Sequence, residues 1–243
     1  FLHEQNSVFG KVNSFFLPYA KIVFTNFIFI QNLNHKYSKK IKNVGFPYNT
    51  KLNFKINQKK NINKKKIIFI YGGSQGSIPL IKHMILILKN IDSKSLEQIK
   101  IIVQTPKKIK DILKQTLLNL KIEFEIKEFF NDIHKILAIT DLAVTRAGAG
   151  TINDLISYKI PSILIPLPHS VNNHQLYNAE YLSVKKAAII IDENELNIDN
   201  NTNIFKRLMS SDKERKDMIV QLKKFNLHDS NKLILLNILY ENQ

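Results

Sequence analysis

The segment Gly72-Gly73-Ser74-Gln75-Gly76-Ser77 has the composition of a turn that can hold a phosphate. Its glycines allow a tight bend and a close approach of backbone to ligand, because no Cβ stands in the way. If a helix begins directly after it, the open N–H groups of the first turn face an anion, and Ser74 adds a hydroxyl donor. The spacing is neither G-x-G-x-x-G nor G-x-x-x-x-G-K-[ST], so neither a dinucleotide fingerprint nor a P-loop is indicated. A second run, Arg146-Ala147-Gly148-Ala149-Gly150-Thr151-Ile152-Asn153-Asp154, offers another set of helix-starting amides at Ala149, Gly150 and Thr151. Asp154 has two readings. Its spacing from Thr151 matches a capping box, which the residues alone favour. As a ligand group it would instead accept hydrogen bonds from vicinal ribose hydroxyls.

The run Pro166–Asn178 is dense in carboxamides and imidazoles, including His174 and Gln175. Such side chains suit a sugar, since each carboxamide presents both a donor and an acceptor to hydroxyls. His169 and His174 are five positions apart with no carboxylate between them, which excludes an H-E-x-x-H zinc helix. Glu128-Phe129-Phe130-Asn131-Asp132 and His3-Glu4-Gln5-Asn6 are also polar, but each taken alone fits a structural use.

These loops need a frame to bring them together. Short apolar runs at 67–71, 101–104, 124–127, 142–145, 163–166 and 187–191 are β-branched or aromatic and do not alternate in and out. That pattern suits parallel strands covered on both faces. Helical segments are predicted between them at 77–89, 107–120, 131–139, 151–159 and 174–184, with three more at 203–209, 212–224 and 229–241. Strand–helix alternation at this spacing predicts an α/β fold, a Rossmann-like doubly wound parallel sheet. Ligands of such sheets bind beyond the carboxyl ends of the strands near a topological switch point, where the unusual loops fall. Residues 1–46 hold an amphipathic start and a strand-like run at 21–25. Residues 47–66 read as a Lys/Asn-rich linker, 67–225 as the sheet domain, and 226–243 as a final helix.

The 243 residues are 44% hydrophobic, enough for a sizeable core, and contain no cysteine. Disulfides, thiolate zinc sites and a cysteine nucleophile are thereby excluded, and a reducing compartment is favoured. A formal net charge of +16 suits an acidic partner. The lysines are spread along the chain and the arginines are few, so the charge reads as a solvated surface with no nucleic-acid reading motif; an anionic membrane surface remains a partner. The apolar stretch 15–30 is interrupted by Pro18, Lys21 and Asn26, too often for a membrane span.

Taken in order, His3–Asn6, Gly45-Phe46-Pro47, Gly72–Ser77, Glu128–Asp132, Arg146–Asp154 and Pro166–Leu182 resemble the MurG family of bacterial glycosyltransferases. The resemblance implies a GT-B glycosyltransferase, with a complete nucleotide-sugar domain and the remnant of an amino-terminal domain. It implies transfer of GlcNAc from UDP-GlcNAc to lipid I, giving lipid II, by an inverting displacement that needs no metal or other cofactor. The expected place is the cytoplasmic face of the bacterial inner membrane, as a peripheral protein.

Carried over residue by residue, the resemblance puts Ser74, with Gln75 and Gly76, at the phosphates and the backbone of Phe130 beside the uracil. Ala149, Gly150 and Thr151 bring amides to the diphosphate, and Asp154 meets the ribose diol. Gln175 and His174 read the GlcNAc hydroxyls, and Asn6 reaches the same sugar from the other domain. Asn49 stands where the family usually has arginine, and Asp154 where it normally has glutamate. The family's candidate base belongs to an amino-terminal Gly-rich loop expected to lie outside this chain, so no catalytic residue is assigned and no transfer by this chain alone is expected. The rival readings are a non-catalytic UDP-sugar-binding fragment and an enzyme like UDP-GlcNAc 2-epimerase.

Overall fold

The structure is a computed structural model that describes residues 1–47, 65–73, 76–194, 197–225 and 229–240. Its main sheet contains β4 (Lys66–Tyr71), β5 (Ile99–Gln104), β6 (Glu123–Lys127), β7 (Leu142–Thr145), β8 (Ser162–Leu164) and β9 (Ala188–Ile190), all parallel, in the order β6-β5-β4-β7-β8-β9. The order reverses between β4 and β7, so the switch point lies at their carboxyl ends, where Tyr71 is paired with Thr145.

The helices of this unit are α2 (Ile78–Lys89), α3 (Ser93–Leu96), α4 (Lys107–Asn119), α5 (Ile133–Leu137), α6 (Ala149–Tyr158), α7 (His174–Ser183), α8 (Ile198–Ser210) and α9 (Asp212–Leu222). β4 shows why its sequence carries no alternation. Ile68 and Ile70 join a core with α2, α4 and α8, while Ile67, Phe69 and Tyr71 join a second core with α5, α6 and α7. A strand buried on both faces has no polar side to display. The edge strand β6 differs: Glu123 is exposed and ion-paired to Lys65 and Lys100, which discourages pairing with another chain.

A smaller parallel sheet is built from β1 (Leu2–Glu4), β2 (Val23–Thr25) and β3 (Ile41–Asn43), with α1 (Lys11–Phe16) between the first two. Of these strands only β2 is marked by an apolar run. β1 and β3 have three residues each, too few for a period, and β1 ends in a buried carboxylate. That carboxylate, Glu4, is structural: it accepts from Asn6 N, Gly10 N and Asn13 Nδ2 at 2.8–3.0 Å.

The last helix, α10 (Ser230–Tyr240), lies on the smaller sheet. Leu233, Ile234 and Ile238 pack on Ile22, Phe24 and Val44, and Lys42 Nζ donates to Asn237 Oδ1 at 2.7 Å. Ile234→Asp would place a charge in this contact and should release the helix. A loss of about 1–2 kcal/mol, hence a fall in Tm of a few degrees in calorimetry, is the expected outcome.

Candidate functional site

Both loops at the switch point open a helix, but they are held differently. At the start of α2, Ser77 is the N-cap and its Oγ accepts from Leu80 N, while Pro79 supplies the fixed φ of a first turn. The turn before it is shaped by glycine. Gly76 has φ +70, and a Cβ there would lie 2.7 Å from Pro106; a Cβ on Gly72 would lie 2.5 Å from the backbone nitrogen of Ser77. Ser74 and Gln75, like Asn49, lie outside the described residues.

α6 begins at Ala149 with Gly148 as its N-cap and no side-chain cap. This corrects the capping-box reading of Thr151 and Asp154. Thr151 is already in the first turn and Asp154 a turn further on, so the carboxylate cannot reach back to an amide that precedes the helix. The N–H groups of Ala149, Gly150 and Thr151 therefore have no partner among the described residues. Phe46, from the Gly45-Phe46-Pro47 turn, lies against Gly150, its ring 3.7 Å from where a Cβ would stand.

Asp154 makes no hydrogen bond or ion pair among the described residues, while its side chain keeps a partial opening to solvent. Withdrawal from water alone pushes its carboxyl up to about 7. An acid held like this, with no protein donor assigned to it, has the character of a ligand group.

Gln175 is placed as a brace. Its Oε1 accepts from Ala147 N at 3.2 Å and Leu167 N at 3.0 Å, which fixes the amide orientation because both partners can only donate. Its Nε2 has no protein partner among the described residues and remains to donate to a ligand. His174 Nδ1 is 2.8 Å from the carbonyl of Val171, leaving Nε2. The loop before them carries three non-glycine residues with positive φ, His169, Asn172 and Asn173. Such strain persists only where the surroundings enforce it. Phe130 is buried, its ring edge-on to Phe69 at 5.9 Å and under Lys127 Nζ at 5.1 Å, so only its backbone is left for a base. Asn6, from the smaller sheet, reaches this group of loops through Asn178 on α7, whose Nδ2 donates to Asn6 Oδ1 at 3.1 Å.

Two residues that hold the site were inside the motifs but had no role from sequence. Arg146 is 4% exposed and uses all five of its N–H groups inside the protein. Nε and Nη2 donate to Ser77 Oγ, Nη1 to the carbonyls of Ile165 and Pro166, and Nη2 also to Glu193 at 2.7 Å. It joins the start of α2 to the ends of β8 and β9, with its charge matched by Glu193. Asn178 is the other. Nothing local in the sequence marks the role of Arg146, because the partner that matches its charge, Glu193, lies 47 positions away.

The parallel sheet is of the GT-B type, and at its switch point it carries open helix amides, with a carboxylate and a carboxamide N–H that have no partner among the described residues. The glycosyltransferase family 28 C-terminal domain matches residues 67–234, and the chain belongs to that family. Its relatives bear out the resemblance to MurG. A protein of Wolbachia sp. subsp. Drosophila simulans (strain wRi) is 32% identical over 217 residues, covering 89% of this chain and 61% of the relative. One of Rickettsia canadensis (strain McKiel) is 37% identical over 200 residues, covering 80% and 56%. Both are named UDP-N-acetylglucosamine--N-acetylmuramyl-(pentapeptide) pyrophosphoryl-undecaprenol N-acetylglucosamine transferase. The chain thus spans about 60% of the length of these relatives. The crystal structure of Acinetobacter baumannii MurG superposes with a TM-score of 0.80 at 22% identity, over 98% of this chain and 67% of that one. The glycotransferase of kitacinnamycin superposes at 0.65 and 15% identity, over 90% and 55%.

The burial of Asp154 sets a pH test. Its folded-state pKa lies above the unfolded value, so the ionised form destabilises the fold; the penalty grows from about pH 4 and is complete above about pH 7. Asp154→Asn should leave Tm unchanged at pH 4 and raise it at pH 8. A lower Tm at pH 8 would restore the capping role.

Proposed function

We propose that this chain is the nucleotide-sugar-binding part of a hexosyltransferase that moves GlcNAc from UDP-GlcNAc to lipid I, forming lipid II. The observation that carries the reading is Asp154, a largely buried carboxylate with no protein partner beside the open amides of α6. A ribose diol supplies two hydroxyl donors to such a group, and a diphosphate supplies the negative charge that helix amides lack. The names of the relatives supply the sugar and the acceptor.

In this scheme the amides of Ala149, Gly150 and Thr151 hold the diphosphate with the turn before α2. Gln175 Nε2 and His174 Nε2 face the sugar hydroxyls, and Asn6 approaches from the smaller sheet. As the glycosidic bond to UDP breaks, negative charge grows on the leaving diphosphate. Amides already pointing at it stabilise that charge without reorganising, so the transfer needs no metal.

UDP-GlcNAc titrated calorimetrically should bind, and Asp154→Ala should weaken it at least tenfold, from two lost hydrogen bonds to a charged group. Affinity in the unmodified chain should also rise between pH 6 and pH 8. The carboxylate fraction of a group titrating at about 7 grows about tenfold over that interval, and the alanine variant should lose the dependence. Unchanged affinity in Asp154→Ala would remove the ribose assignment.

The acceptor is lipid-linked, and the chain has a surface suited to an anionic membrane at the cytoplasmic face of the inner membrane. α1 buries none of its side chains, and Val12, Phe15, Phe16 and Tyr19 are all exposed, with Ile28 and Phe29 following in sequence. Lys11 and Lys21 flank the helical stretch. Aromatic side chains beside lysines suit a shallow insertion among anionic headgroups, and among the described residues no helix is long and apolar enough to span a bilayer. Sedimentation with phosphatidylglycerol vesicles should exceed that with phosphatidylcholine, and Phe15→Ser with Phe16→Ser should reduce it several-fold. Equal partition into both would overturn this assignment.

A further inference from the structure

The carboxamide of Asn178 is fully buried and fully used. Oδ1 accepts from Ser7 N at 2.9 Å and from Ser7 Oγ at 2.8 Å; Nδ2 donates to Ala147 O and to Asn6 Oδ1, both at 3.1 Å. Its orientation is determined twice over, since Ser7 N–H can only donate and the Ala147 carbonyl can only accept. Three positions earlier on the same helix, Gln175 Oε1 takes the N–H of Ala147. Residues i and i+3 of α7 therefore hold the peptide groups on both sides of Ala147, two residues before the open amides of α6 begin.

The consequence falls on Asn6. The atom it turns to Asn178 is its Oδ1, which leaves Nδ2 on the other side with no protein partner among the described residues. Asn6 thus turns its two N–H donors away from Asn178, while its carbonyl oxygen is engaged by that residue. Without Asn178 the amide could rotate by half a turn and offer its carbonyl.

We propose that Asn178 is a positioning residue that orients the Asn6 amide so that it presents its N–H groups to the nucleotide sugar, as a hydrogen-bond donor toward a hydroxyl or carbonyl oxygen. The inference rests on the placement of Asn6 at the sugar in the proposed function. It gives α7 a double duty: the helix that carries the sugar-facing Gln175 also selects which face of Asn6 the sugar meets.

The test compares two variants and two ligands, with an amide readout that needs no ligand. In ¹⁵N-labelled protein the Asn178 side-chain N–H groups should exchange slowly and those of Asn6 rapidly. Asn178→Asp keeps the acceptor for Ser7 but turns the donor side into a second acceptor. Asn6 should then rotate, and its N–H groups should become protected. Asn6→Asp keeps the contact with Asn178 Nδ2 and removes only the donors that face the ligand, so it remains informative should Asn178→Asp fail to fold. It should bind UDP like the unmodified chain and UDP-GlcNAc about tenfold or more weakly.

Protected Asn6 N–H groups in the unmodified chain would overturn the orientation. Unchanged UDP-GlcNAc affinity in Asn6→Asp, with a normal tight complex in the unmodified chain, would overturn the donor role alone. No UDP-GlcNAc binding by the unmodified chain, with the exchange pattern as expected, would instead overturn the functional reading on which this inference rests, and the inference with it.

Discussion

A backbone amide can hold a diphosphate only if no protein group pairs with it and it is nevertheless kept from moving. Those demands conflict, because the usual way to fix a helix start is to cap it. The start of α6 meets both: its N-cap Gly148 has no side chain to pair with the amides, and among the described residues Ala149, Gly150 and Thr151 keep their N–H groups open. Rigidity comes from the residues just before. Arg146 is held by five hydrogen bonds and Ala147 is clamped at N–H and C=O by Gln175 and Asn178. The entropy of ordering the loop is thus lost on folding rather than on binding, which is what preorganised electrostatic stabilisation requires.

Asp154 shows the same principle from the side of stability. A carboxylate with water withdrawn and no donor supplied is unfavourable in the folded chain, and that burial is what pushes its carboxyl upward. A protein selected for stability alone would pair it or replace it. In the proposed function a ribose diol would complete its hydrogen bonds. One helical turn on, the Tyr158 hydroxyl is also shifted upward, first by burial and then by Asp154, so the unmet charge is felt within α6.

Much of the main sheet was legible because most of its strands are continuous apolar runs bounded by glycine, proline or polar residues; the run expected at 124–127 is the exception, since the edge strand β6 (Glu-Phe-Glu-Ile-Lys) alternates and buries none of its residues. β7 has the predicted bounds, and the other strands differ by a residue or two at their ends. Of the smaller sheet only β2 was legible, within the run at 21–25; β1 and β3 were not, since three-residue strands carry no periodicity and Glu4 breaks the apolar pattern of β1. At the site, the loops were evident from residue type, but roles that depend on distant partners were not. Thr151 and Asp154 have the spacing of a cap, yet the helix begins two residues before Thr151, where Gly148 and Ala149 look like loop. Asn178 reads as one more sugar-facing amide in a polar run. That it is buried against Ser7, 171 positions away, is a fact of tertiary structure.

The arginines and the smaller sheet together explain why this geometry must be tight. Asn49 stands where the family usually has a cation, and Arg146 is committed to Ser77, Glu193 and two carbonyls. Among the described residues, the positive potential at the start of α6 is therefore dipolar, carried by helix amides. It fades within a turn of the helix start, unlike the field of an ionic side chain. Small displacements of Ala149 to Thr151 then matter more than they would beside an arginine. Phe46 packed at Gly150 and Ser7 bonded to Asn178 fix those amides from the smaller sheet, and α10 ties that sheet to the end of the chain. The smaller sheet is in this sense part of the proposed nucleotide site: without its contacts the amides of α6 would keep their chemistry and lose their aim.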